Sequence, residues 1–246
     1  MVLWQDGRAL STPRPIQRDA AGAAELAQMY ALPSDRTTVR AMMNTTIDGA
    51  IAGADGTSGS LRNDDDAFLF GVLRALTDAV VVGAETVRSE DYRRPLGRAD
   101  LRAPSRRPSG APRPVLAIWS SSGNLPSSIQ ADWPTFLLTP PEHCEQASTA
   151  SGIPAAQVLP AADAAAGIRA LEERGLRGIQ AEGGPSALAR LAAEDLLDEL
   201  CFSVSHRTVG GPSPRVMHGP ALEQDWELVS LIVGPDATLS RYRRAR

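Results

Sequence analysis

Lysine is absent. All 25 basic residues among the 246 are arginine. No Schiff-base lysine, lysine general base or P-loop lysine is therefore available. A phosphate must be held by arginine, by backbone N–H groups or by a helix N-terminus. Cysteine is scarce: Cys144 and Cys201, two in a long chain, make no disulfide framework. Aromatic residues are only 4%, so the core must rest on Ala, Val, Leu and Ile. No apolar run approaches the roughly 20 residues of a membrane span. The stretch Met1–Asp6 has neither the basic nor the apolar region of a signal peptide, so a cytoplasmic protein is expected. G-x-G-x-x-G, H-E-x-x-H, C-x-x-C and G-x-S-x-G are all missing, and His143, His206 and His218 lack metal-ligand spacing. Neither a zinc site nor a nucleophilic hydrolase is expected. The net charge of −4 argues against a general nucleic-acid binder.

What is present reads as alternating strands and helices. A short helix is expected near Ala20–Tyr30, inside a polar, Ala-rich stretch covering residues 1–36. Val39–Thr46, Ala79–Gly83, Pro114–Ser120, Thr135–Thr139, Gly178–Glu182 and Asp198–His206 read as buried strands. Helices are expected from Asn63 or Asp64 to Leu76, from Asp163 to Arg174, and over Pro185–Ala193. Two alternating runs, Trp226–Val233 and Ala237–Arg244, flank Gly234-Pro235-Asp236 as a hairpin. The fold class is α/β, with a mixed, mostly parallel sheet closed by an antiparallel C-terminal hairpin. The segment 93–113 holds seven Arg and four Pro but no aromatic residue. It reads as a solvated surface loop, not as a nucleic-acid-binding tract.

Each of the chemically informative stretches follows a strand. In Glu182-Gly183-Gly184-Pro185-Ser186, two glycines let backbone N–H groups approach an anion at the start of a helix. Pro185 suits the first helical position, where its missing N–H costs nothing. Taken alone, an ordinary strand–helix turn is the better explanation of this sequence. Gly83–Arg88 is a second such turn, with Thr86 and Arg88 available to a phosphate. Thr45–Gly49 and Asp55–Ser60 form a hydroxyl-rich loop in which Asp48 more often caps its own turn. Ser120–Gly123, after another strand, could take a 2′-phosphate or be a polar loop.

Together these stretches resemble the reductase domain of riboflavin biosynthesis. Val39–Ala41 with Thr46-Ile47-Asp48-Gly49 is similar to its opening strand and S-L-D-G turn, and Asp55–Gly59 to its next loop. Leu73–Val87 resembles the segment L-R-A-x-x-D-A-I-L-V-G-A-G-T-V, and Gly178–Pro185 the motif V-E-G-G-P. Leu196–Leu200 and Val209–Gly211 are similar to its closing strand and loop. The resemblance implies a dihydrofolate-reductase-like three-layer fold over 37–246, preceded by an N-terminal extension of residues 1–36. It also implies NADPH-dependent reduction of 5-amino-6-(5-phosphoribosylamino)uracil to the ribitylamino compound, with hydride delivered to ribose C1. The zinc deaminase of bifunctional members has no signature here, so the stand-alone actinobacterial pyrimidine-reductase type is the match. A homodimer is implied as well, with contact through the C-terminal strands.

Carried over by position, the substrate contacts are Ser58, Arg74 and Glu182, with Glu182 also the catalytic candidate. The cofactor contacts are Asn44, Ser60, Gly83, Thr86, Glu90, Ser120, Gly183, Gly184, Pro185, Ser186, Ala187 and Leu188. Met42 stands where many relatives have lysine, Ser60 where they have Trp, and Glu85 where they have Gly. Glu90-Asp91-Tyr92 replaces D-D-P. The arginine that follows is one of Arg93, Arg94 and Arg98, and Arg94 is taken as the substrate contact. No metal is implied. Two other readings stay open on sequence alone: reduction of dihydrofolate or another pteridine, and dinucleotide binding without catalysis.

Overall fold

The computed structural model describes the chain except for residues 91, 93, 128, 130–132 and 246. In chain order the elements are β1 (Val2–Gln5), β2 (Arg8–Arg14), α1 (Ala20–Met29), β3 (Thr38–Thr46), α2 (Asp64–Ala75), β4 (Ala79–Gly83) and α3 (Ala84–Ser89). Then come β5 (Val115–Trp119), β6 (Thr135–Thr139), α4 (Cys144–Ser151), β7 (Val158–Pro160), α5 (Ala164–Glu172) and β8 (Gly178–Ala181). The chain ends with α6 (Pro185–Ala193), β9 (Glu199–Ser205), β10 (Trp226–Val233) and β11 (Ala237–Arg244). All the strands join one sheet in the order β2-β1-β10-β11-β9-β3-β8-β4-β5-β6-β7. From β9 to β7 every pairing is parallel; from β9 through β11, β10 and β1 to β2 every pairing is antiparallel.

Local chemistry sets the helix starts. Asn63, Asp163 and Asp19 each accept a bond from a backbone N–H in the first helical turn, at 2.9, 2.6 and 2.8 Å. Strand period then sorts the layers. Ala79 and Val81 of β4 share a core with Ile168 of α5 and Leu188 of α6. Val80 and Val82 share another with Val87 of α3 and Ala147 of α4. A third core joins Met42 and Cys201 of the sheet to α1 and α2. Helices therefore cover both faces. The adjacent strands β4 and β8 send their following helices, α3 and α6, to opposite faces. That divergence opens a crevice at the carboxyl ends of the two strands.

Three features differ from the sequence expectation. First, the N-terminal stretch is more than a helix: β1 and β2 extend the sheet through β10, with Val2 opposite Ile232. The β1–β2 hairpin does carry a local mark that the sequence reading passed over, Asp6-Gly7 with both φ positive between Gln5 and Arg8; only the join to β10, 230 residues away, has none. Arg40 and Arg241 bind α1 to the sheet by donating to the carbonyls of Tyr30 (2.8 Å) and Met29 (2.6 Å) at the helix C-terminus. Both arginines also grip Glu199, and Arg40 is fully buried. Second, α4 and the three-residue β7 fill a stretch with no expected element. Third, the Arg/Pro segment is pinned, not simply solvated. Leu101 and Arg107 are buried in it. The buried Asp78 carboxylate accepts from the Ser109 N–H and hydroxyl and from the N–H groups of Arg177 and Gly178. Arg107 donates to the carbonyls of Arg102 and Ala111.

Candidate active site

The crevice between α3 and α6 encloses a cavity of about 570 Å³. One wall is the turn from β8 into α6. Gly183 and Gly184 have φ of 111° and 64°, a region that favours glycine. A Cβ on Gly184 would sit 3.3 Å from the Thr86 hydroxyl. The facing turns are tied by a bond from the Gly83 N–H to the Gly183 carbonyl, 3.3 Å. Pro185 then opens α6, whose first N–H groups have no partner within the helix; Pro185, Ser186 and Ala187 line the cavity. The backbone here is shaped to admit an anion closely, as the absence of lysine requires.

The other end of the crevice is dominated by Glu182, whose side chain is 1% exposed. Its carboxylate accepts from Arg74 Nε (2.8 Å) and Gln180 Nε2 (2.7 Å) at Oε1. At Oε2 it accepts from Arg74 Nη2 (2.6 Å) and from the Tyr92 hydroxyl. Arg74 Nη2 also donates to the Tyr92 oxygen at 2.9 Å, and the guanidinium lies 4.2 Å from the centre of the Phe70 ring. Burial works against the Arg74 charge, but the adjacent Glu182 outweighs it and holds the guanidinium above its ordinary value. Burial, reinforced by the Glu182 charge, pushes the Tyr92 hydroxyl well above the usual phenol range. The arrangement is a buried, bidentate ion pair with a protonated phenol across its open side.

Many of the expected site residues meet at this crevice. Ser58, Gly83, Thr86, Glu90, Ser120, Glu182, Gly183, Gly184, Pro185, Ser186 and Ala187 all line it. The Ser58 N–H donates to Glu90 across the gap, 3.0 Å. Other residues sit elsewhere. The Leu188 side chain is buried in the core and its N–H is used by the Gly184 carbonyl, so it has nothing to offer a ligand. Asn44 is engaged with the Leu61 carbonyl and the Ser205 hydroxyl. The Ser60 hydroxyl donates within its own loop, to Asp55 at 2.9 Å or to the Thr57 carbonyl at 3.0 Å. Arg94 lies over the Trp133 ring, 5.8 Å from its centre. Arg98 pairs with Asp100 and stacks on Phe68, away from the crevice, and Arg93 lies outside the described residues. Asp48 binds the N–H groups of Val209 and Gly210 and fastens its turn to that loop. Glu85 points to solvent and pairs with Arg88 at 2.5 Å, so it leaves the cradle open.

Sequence reading missed Tyr92, Gln180 and Arg190. Gln180 lies on β8 two residues before Glu182, which directly follows the strand, so continued alternation places both on the same face. Arg190 lines the crevice one and a half turns into α6, 5.9 Å from the Trp119 ring centre. Tyr92 has no local signal, since it sits outside any helix or strand. Among the described residues no cluster of three or more His, Cys, Asp or Glu could hold a metal ion. No helix among them is long and apolar enough to cross a membrane.

A switch-point crevice, a Gly-Gly turn opening a helix and a buried carboxylate beside it mark an α/β protein with a small-molecule site. The chain belongs to the RibD C-terminal domain family, whose model matches residues 37–239. A 2,5-diamino-6-ribosylamino-4(3H)-pyrimidinone 5′-phosphate reductase from Archaeoglobus fulgidus is 25% identical over 181 residues, 71% of this chain and 83% of the relative. A pyrimidine reductase-like protein from Corynebacterium diphtheriae superposes with a TM-score of 0.77 at 25% identity, over 90% of this chain and 99% of the other. The riboflavin biosynthesis reductase Rib7 of yeast shares the fold, with a TM-score of 0.58 at 14% identity, over 85% and 90% of the two chains. The chain is thus a reductase of the riboflavin-biosynthesis type, with the mixed-sheet fold of that family.

Proposed function

We propose that this protein reduces 5-amino-6-(5-phosphoribosylamino)uracil, or its 2,5-diamino pyrimidinone counterpart, to the ribitylamino compound with NADPH. The observation that carries this reading is the meeting of the Gly183–Gly184 turn and Glu182, held from behind by Arg74, in one crevice. The cradle, Thr86 and the start of α6 fit a pyrophosphate without any lysine. NADPH, when bound, supplies the hydride that reduces ribose C1. The protein's task is chiefly orientation and the exclusion of water. Ser120 and the arginines Arg88 and Arg190 line the far end of the crevice and would favour a 2′-phosphate. Glu182 holds the sugar portion of the substrate, and the bidentate contact with Arg74 fixes its rotamer. Because Arg74 spends its fork on Glu182 and Arg94 lies over Trp133 outside the crevice, we assign the substrate 5′-phosphate to the loop at Ser58, which lines it.

We further propose a homodimer formed through the outer face of β9, where Leu200, Phe202 and Val204 are half-buried beside a second groove of about 670 Å³. Light scattering would read its mass. The functional test is NADPH oxidation by purified protein. Turnover is expected with the phosphoribosylaminopyrimidine and not with dihydrofolate. NADPH binding with no turnover of either pyrimidine would overturn the substrate assignment.

A further inference from the structure

We infer that the Glu182–Arg74 fork is a receptor for one hydroxyl group of the substrate's sugar chain, and that the Tyr92 phenol occupies it as an internal stand-in. The inference rests on the reading of the substrate given above. Glu182 accepts four hydrogen bonds, two at each oxygen. A carboxylate has about four acceptor positions, so a ligand reaches Glu182 only by replacing a donor already there. Two of the three donor side chains are fixed. Gln180 is fully buried on β8, and Arg74 projects from α2 with its plane against Phe70. Tyr92 belongs to neither helix nor strand, and its N–H makes one long bond, 3.4 Å, to the Val87 carbonyl. Withdrawing it breaks no ladder and gives up only side-chain contacts, its packing against the core around Val82 and Val87 and its ring contact with Arg74. Glu182 lines the crevice whereas Tyr92 and Arg74 do not, so the exchange takes place just behind the cavity wall.

The chemistry of the vacated position is specified by what Tyr92 does there. Its oxygen donates to Glu182 Oε2 and accepts from Arg74 Nη2. A single atom that both donates and accepts is a hydroxyl. An ammonium has nothing to accept with. A phosphate dianion could accept from Arg74 but has no proton for Glu182, and would meet that buried carboxylate as a like charge. The ribose and ribityl chain offers such hydroxyls; its phosphate does not fit.

The test is calorimetric titration of wild type and Tyr92→Phe with D-ribose 5-phosphate and, separately, with inorganic phosphate. Removing the competing phenol should tighten D-ribose 5-phosphate about fivefold, the worth of one hydrogen bond. Inorganic phosphate should bind both proteins alike. Unchanged or weaker sugar phosphate binding by the variant, or an equal gain for inorganic phosphate, would overturn the inference. Should the variant fail to fold, a structure of the wild type with D-ribose 5-phosphate decides. A sugar hydroxyl between Glu182 and Arg74, with Tyr92 displaced, supports the inference; Tyr92 still seated there refutes it. Turnover assays keep the two readings apart. Tighter binding without turnover of either pyrimidine sinks only the proposed reaction, and turnover without tighter binding sinks only the stand-in.

Discussion

Gly184 offers the sharpest test of the cofactor cradle. With φ of 64° and ψ of 116°, it holds a conformation that an L side chain adopts only at a cost. Backbone strain of this kind is worth about 1–3 kcal/mol. A Cβ would also press on Thr86 Oγ1 at 3.3 Å, which must shift slightly. Gly184→Ala should therefore lower the melting temperature by roughly 2–12 °C, at about 2–4 °C per kcal/mol for a chain this long. Gly184→Asp adds a charge to the same strain. At about 5 Å from a phosphate and an effective dielectric near 20, like charges repel by about 3 kcal/mol, and solvent at the crevice mouth lowers this toward 1 kcal/mol. The Asp variant should then bind NADPH roughly 5- to 150-fold more weakly than the Ala variant, while the two melt at similar temperatures. Fluorescence titration of NADPH and thermal melting of both proteins supply the numbers. If Asp and Ala bind NADPH equally, no phosphate lies at Gly184, and the cradle is an ordinary strand–helix turn.

Other consequences can be measured in parallel. Glu182→Gln should lower kcat/KM on the order of 10²-fold, and Arg74→Lys should fall between it and wild type because lysine cannot supply the bidentate fork. Arg190→Ala should weaken NADPH binding about tenfold and NADH binding much less, read by competition titration; equal losses would place the 2′-phosphate elsewhere. Glu199→Leu strands two arginines, one of them fully buried, and should cost about 3–5 kcal/mol by urea unfolding. Burial opposes the Glu199 charge, but Arg40 and Arg241 outweigh it and hold the carboxyl below its ordinary value. A carboxyl lowered in the folded state stabilises above its unfolded pKa, near 4.5, and loses that contribution as the pH falls below it. Wild type should accordingly lose stability on acidification through this range more steeply than Glu199→Gln; parallel profiles would exclude the contribution.

The residues that could be read without a structure are those whose behaviour is set by their neighbours in sequence. Val80–Val82 announce a doubly covered strand, Asn63 and Asp163 announce helix starts, and Gly183-Gly184-Pro185 announces a turn that can hold an anion. The absence of lysine fixed in advance that backbone, hydroxyl and arginine must do the anion binding. The hairpin of β1 and β2 was legible in Asp6-Gly7 and was passed over; its place in the sheet beside β10 was not, because that partner is at the far end of the chain, and the three-residue β7 gains its stability from β6 alone. The site divides in the same way. Glu182 could be named because it ends a strand beside two glycines. Its real partners could not, since Arg74 and Tyr92 reach it from elements 108 and 90 residues away in sequence. In the sequence Arg74 reads as a direct substrate contact. Packing against Phe70 and Glu182 turned it into a support for a carboxylate, because a buried guanidinium must satisfy the nearest buried acid first.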